Sequence, residues 1–83
     1  MFNELEHEKK HVLMLAKSEQ ARRDLGYYKT ANEQQKKNSV KRIKHYIELR
    51  HREIKNTEEY KIFIDSMQKS LDILEKNWYY NIA

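Results

Sequence analysis

The residues best placed to do chemistry are His7 and His11, in the run His7-Glu8-Lys9-Lys10-His11. On a helix, positions four apart stand on one face. Both imidazoles can then reach a single metal ion, and Glu8 between them can act as a base toward water bound to it. A catalytic zinc also needs a third protein ligand and a cleft. His45 and His51 are six positions apart, so on a helix they point in different directions, and the chain has no cysteine. The plainer reading is two exposed histidines at helical spacing. Ser18, Ser39, Ser66, Ser70, Thr30 and Thr57 have no paired base legible in the sequence, and Gly26 is the only glycine, too few for a phosphate-cradling loop. Asp65 and Asp72 share a helix face and read as solvated. No catalytic residue, metal site or cofactor is therefore expected.

Two short stretches resemble known enzymes. His7 to His11 resembles the H-E-x-x-H signature of zinc metalloproteases, which implies zinc on His7 and His11 with Glu8 as the base. It departs from that signature in having Lys9 and Lys10 where the middle residues are usually uncharged. Ser70-Leu71-Asp72-Ile73-Leu74 is faintly similar to the Ser-Gln-x-Leu-Asp core of the small helical-hairpin phosphatases that act on the sporulation response regulator. Leu71, Asp72 and Leu74 match, whereas Gln68-Lys69 replaces the Ser-Gln pair. Leu-Asp-x-Leu recurs in any amphipathic helix, and no enzymatic activity is expected from either stretch.

The charge distribution says more. The formal net charge is +4 over 83 residues, but it is concentrated. Residues 36–55 carry eight bases against Glu48 and Glu53, a net of +6, while residues 56–83 carry a net of −2 and the first 25 are neutral. A basic helix of this kind contacts phosphate backbone or an acidic protein surface, or else is the solvated side of an amphipathic helix.

The elements that must position these residues are helical. Tyr60, Ile64, Met67, Leu71, Leu74 and Trp78 follow one another at steps of 4, 3, 4, 3 and 4, one stripe of a helix, widened by Ile62, Phe63 and Ile73. The periodicity predicts helices over about 2–25, 30–55 and 57–80. In the first, Phe2, Leu5, Val12, Leu13, Leu15 and Ala16 form the core face. Beyond Ala16 that face turns charged, at Glu19 and Arg23, while Met14, Ala21 and Leu25 lie opposite. Gly26 reads as a left-handed helix stop. Thr30 to Glu33 and the run Asn56-Thr57-Glu58-Glu59 read as capping boxes that open the next two helices. In the second helix the apolar stripe begins only at Val40 and runs through Ile43, Ile47 and Ile54.

These patterns predict one all-α domain over residues 1–83: a small three-helix bundle from which the polar hairpin between helices 1 and 2 projects as an arm tipped by Tyr27 and Tyr28. The competing reading makes 29–39 a disordered loop. A domain this short buries only about 60–65% of its unfolded surface, which favours self-association, and a homodimer covering Met14, Ala21 and Leu25 is expected. No apolar run reaches the roughly 18 residues that span a bilayer, and the first residues are polar and acidic. A cytoplasmic protein without a membrane partner is expected.

The expected function is that of a small non-enzymatic regulator or adaptor of phage, mobile-element or bacterial type, acting by protein–protein binding. Its candidate partner-binding residues are Lys17, Arg22, Arg23, Tyr27, Tyr28, Lys36, Lys37, Lys41 and Arg42, because tyrosine beside arginine and lysine is the composition of interface hot spots. The expected partner is another protein, with a second copy of the chain as a further candidate. The alternative is a nucleic-acid-binding protein using 36–55. Trp78-Tyr79-Tyr80 reads as a cap on the bundle end or as a second partner patch.

Overall fold

Gly26 is where the first helix ends, and it adopts the left-handed conformation the sequence calls for, with φ of 71°. A Cβ placed there would meet nothing within 4 Å, so the demand for glycine comes from the backbone and not from crowding. Before it runs α1 (Glu4–Asp24), with Glu4 and Glu6 in its first turn and Arg22 and Arg23 in its last, as the helix dipole favours. The computed structural model describes residues 4–49 and 52–82, with side-chain surroundings over 4–49 and 53–75.

The chain re-enters helix immediately after Gly26. The amides of Lys29 and Thr30 both donate to the Gly26 carbonyl, at 3.1 and 3.3 Å, closing the single turn α2 (Tyr27–Thr30). Thr30 was expected to cap the second long helix. Its hydroxyl points backward instead, donating to the carbonyls of Gly26 and Tyr27. Ala31 is extended, and the capping box forms two residues later. Asn32 Oδ1 accepts from the Gln35 amide at 2.8 Å, and Gln35 Oε1 accepts from the Asn32 amide at 2.9 Å. Two boxes overlap in the sequence, and the one led by asparagine, the better N-cap residue, prevails.

Helix α3 (Glu33–Glu48) is shorter than the 30–55 expected. Leu49 turns extended, and a single 3-10 turn, Arg52–Ile54, delivers Ile54 fully buried into the core. Thr57 then caps α4 (Glu58–Ile82): its hydroxyl donates to the Ile54 carbonyl at 2.7 Å and accepts from the Tyr60 amide at 3.2 Å. At about 1.5 Å per residue, the 25 residues of α4 make the long element on which α1, α2 and α3 all pack. The molecule measures 49 × 24 × 19 Å.

The core comprises Val12 and Ala16 of α1, Tyr28 of α2, Val40 and Ile43 of α3, Ile54, and Phe63, Met67, Leu71 and Leu74 of α4. The α4 stripe was legible, but its centre lies closer to Phe63, Ser66, Met67 and Ser70 than to the apolar line read from sequence; Tyr60 and Ile64 are only half-buried, and Ile62 is exposed. Trp78, Tyr79 and Tyr80 lie outside the residues whose side chains are described. The small all-α bundle is as expected, with no strand among the described residues. The projecting arm is not: Tyr28, placed at its tip, is 1% exposed, and α2 packs on α4. Burying one aromatic ring and its neighbours outweighs leaving the hairpin solvated. No described helix is long and apolar enough to cross a membrane.

Candidate binding surface and the buried cluster behind it

Glu19 organises the end of the bundle. It lies on the line Val12, Ala16, Glu19, Arg23 along α1, so its carboxylate is carried into the core, where it is 1% exposed. Such a group is costly unless ion-paired and hydrogen-bonded, and α1, α2 and α3 each supply a donor. Arg42 of α3 donates from Nη2 to Oε1 at 2.8 Å, and Arg22, one turn along α1, donates from Nη1 to the same oxygen at 3.2 Å. The Tyr28 hydroxyl donates to Oε2 and accepts from Arg42 Nη2 at 2.7 Å. One buried Arg42 donor, Nε, has no hydrogen-bond partner among the described residues. Burial first, and then the hydrogen bond to the Glu19 carboxylate, hold the Tyr28 phenol well above its ordinary range. For Arg42, burial is the largest influence and pulls its pKa down, but the bonds to Glu19 and Tyr28 outweigh it and the net shift is upward. The cluster pins three elements together: α1 through Glu19 and Arg22, α2 through Tyr28, α3 through Arg42.

A second polar cluster joins α1 to α4. Arg23 Nη1 donates to the Ser66 carbonyl at 2.6 Å and to Ser70 Oγ at 2.8 Å, and Nη2 donates to Ser66 Oγ at 3.0 Å. Ser66 in turn donates to the Ala16 carbonyl at 2.9 Å. Ser66 and Ser70 are small and stand one turn apart on the core face of α4, which leaves space for the guanidinium.

The nine candidate partner-binding residues are thus divided. Tyr28, Arg23 and Arg42 are committed to intramolecular bonds, and Arg22 is tied to Glu19 with its side chain 39% exposed. Tyr27 is 40% exposed and meets the Tyr28 ring edge-on, with centroids 5.4 Å apart. Lys36 is half-buried; Lys37 and Lys41 are exposed. Lys37, Lys41 and Lys44 fall within an arc of about 60° on α3, counting 100° per residue, and Lys44 makes a loose ion pair with Glu75 at 3.8 Å. Lys17 stands apart. It lines a groove of about 500 Å³ between α1 and α4, with Leu13, Gln20, Ile62 and Lys69.

His7 and His11 are exposed on α1, and among the described residues no group of three or more His, Cys, Asp or Glu is arranged to hold a metal ion. Asp72 is exposed and accepts from Gln68 at 3.0 Å. The residues sequence reading passed over are Glu19, Ser66 and Ser70. Their signal was present: two charged residues continuing a core line on α1, and two serines one turn apart within the apolar stripe of α4. No protein-family model, curated protein or solved structure matches the chain.

Proposed function

We propose that this chain is a small non-enzymatic regulator or adaptor that binds an acidic surface on another protein through Tyr27 and the lysines of α3, Lys36, Lys37 and Lys41. One observation carries the reading. The cluster around Glu19 fixes the buried Tyr28 and the half-buried Arg42, while Tyr27 beside Tyr28 stays 40% exposed. An aromatic side chain held in place by a rigid neighbour loses little freedom on binding, and that neighbour is bonded to Arg42 of α3, the helix on which Lys37 and Lys41 are exposed. Arg22, Tyr28 and Arg42 then support this surface instead of touching the partner, and Arg23 is held by Ser66 and Ser70 of α4. Lys17, in the α1–α4 groove, is not part of it.

The arc of Lys37, Lys41 and Lys44 favours a second reading, in which the same face tracks a phosphate backbone. A single experiment separates the two. The tagged chain and a Tyr27→Ala variant are used to capture partners from lysate, with and without nuclease, alongside a Lys37→Ala/Lys41→Ala variant. The protein-binding reading expects a stoichiometric protein that survives nuclease, with Tyr27→Ala weakening capture by more than about tenfold, the scale of a hot-spot side chain. Nucleic acid in the eluate, with Tyr27→Ala neutral, the lysine changes dominant and binding falling steeply with salt, overturns it in favour of the second reading.

A further inference from the structure

The side of α1 opposite its core line of Val12, Ala16, Glu19 and Arg23 carries Lys10, Met14, Lys17, Ala21 and Asp24, at steps of 4, 3, 4 and 3; all five are exposed, and Lys17 and Asp24 also border the α1–α4 groove. This is the spacing of a coiled-coil seam. Met14 is 56% exposed and the neighbouring Leu25 is 85% exposed, the largest exposure among the bulky apolar side chains described. Leu13, Met14 and Ala21 line a shallow depression there between Lys10 and Lys17.

We infer that this face is covered by the same face of a second copy, with the two α1 helices antiparallel about a twofold axis at Lys17. The sequence of the seam is self-complementary in that direction and not in the in-register parallel one. Reversing it sets Lys10 opposite Asp24 of the second copy, twice, and sets the long Met14 opposite the small Ala21, twice. Opposite charges meet at both ends, and large side chains meet small ones between them. A parallel pairing would set Lys10 on Lys10 and Asp24 on Asp24. Neither Lys10 nor Asp24 has an ion-pair partner among the described residues of its own chain, so both are free to pair across the axis. Leu25 falls beside the aliphatic stem of Lys10 of the second copy, which covers it while the ammonium reaches Asp24. Lys17 meets its own copy on the axis. That contact is repulsive, so the dimer is weak, as a seam of about three turns between single helices requires. The surface is separate from the Tyr27 and α3 surface proposed above, and neither proposal depends on the other.

The test is sedimentation equilibrium or light scattering on the full chain from micromolar to near-millimolar concentration. The expected mass rises toward twice the 10.2 kDa of one chain. Met14→Glu raises the dissociation constant more than about tenfold, as do Lys10→Glu and Asp24→Lys singly. The double variant Lys10→Glu/Asp24→Lys restores association, because both contacts are inverted together. Lys17→Leu tightens it. All these residues are exposed, and circular dichroism melts of the variants at low concentration confirm that each is folded. A mass of one chain at every concentration, or a dimer indifferent to Met14→Glu, overturns the inference. A dimer that the charge-inverted double variant does not restore overturns the antiparallel register.

Discussion

Replacing Tyr28 by phenylalanine removes one oxygen and leaves the ring. The structure makes the consequence calculable. The hydroxyl donates to Glu19 and accepts from Arg42 at 2.7 Å, and the residue is 1% exposed, so no water replaces either bond. Glu19 keeps both its guanidinium partners. What is lost is the share of the phenol in a charge-assisted pair of bonds, about 1.5–3 kcal/mol for a hydrogen bond to a charged group. In a domain this small, 1 kcal/mol moves the melting temperature by about 4–8 °C, so a loss of 2 kcal/mol lowers it by about 8–16 °C. Tyr28→Ala empties the ring site as well and costs about 3–5 kcal/mol, which leaves little folded protein. Tyr27→Ala, two-fifths exposed and outside the core, stays within about 1 kcal/mol of wild type. The assay is thermal melting by far-UV circular dichroism, repeated in urea. Tyr28→Phe melting within about 2 °C of wild type, or Tyr27→Ala costing more than Tyr28→Phe, would refute the placement of Tyr28 at the centre of a closed polar cluster.

The raised pKa of the Tyr28 phenol makes a prediction about alkaline stability. Its folded-state value lies above the ordinary 10.0, so folding favours the protonated form. The stability this contributes is fully present below about pH 10 and is lost as pH rises above that value toward the folded pKa. Ultraviolet phenolate absorbance is expected to show a late alkaline component that appears only as the chain unfolds and that Tyr28→Phe removes; an absorbance titration left unchanged by Tyr28→Phe would contradict it. In the core, Leu71→Ala should cost about 2–5 kcal/mol, because Leu71 is only 6% exposed on the helix that all the others pack against; an unchanged urea midpoint would deny α4 its organising part.

The helices were legible where a periodic apolar stripe or a glycine stop marks them. Helix α4 and the left-handed Gly26 are both where the sequence puts them, although the buried face of α4 is displaced toward Phe63, Ser66 and Ser70. The polar half of α1 was misread because periodicity counts apolar residues. Val12, Ala16, Glu19 and Arg23 form one core line, but its lower half is charged, and charge on a helix is taken for solvent contact until a buried counter-charge is found. That counter-charge, Arg42, lies 23 positions away in the chain, and nothing local pairs the two. The tyrosine tip was misread for the same reason, since Tyr28 is buried by its bonds to Glu19 and Arg42 as much as by its ring. The break at Leu49 left no signal in the sequence, because no glycine or proline marks it.

The two polar clusters also bear on how the fold chooses among its neighbours. A helix that meets its partner only through apolar side chains can slide by a turn and still bury much the same area. Here α1 cannot. A shift of one turn along α4 takes Arg23 off Ser66 and Ser70, and separates Glu19 from Arg42 and Tyr28, leaving ions in the interior with nothing opposite them. Each slipped arrangement is therefore worse by several broken bonds at once, although its apolar contact is similar. The same coupling constrains how the sequence can drift. Glu19 cannot change alone without taking the carboxylate from Arg42, Arg22 and Tyr28, nor Arg23 without taking the guanidinium from the buried Ser70. Descendants of this chain must alter these positions as linked sets or keep them.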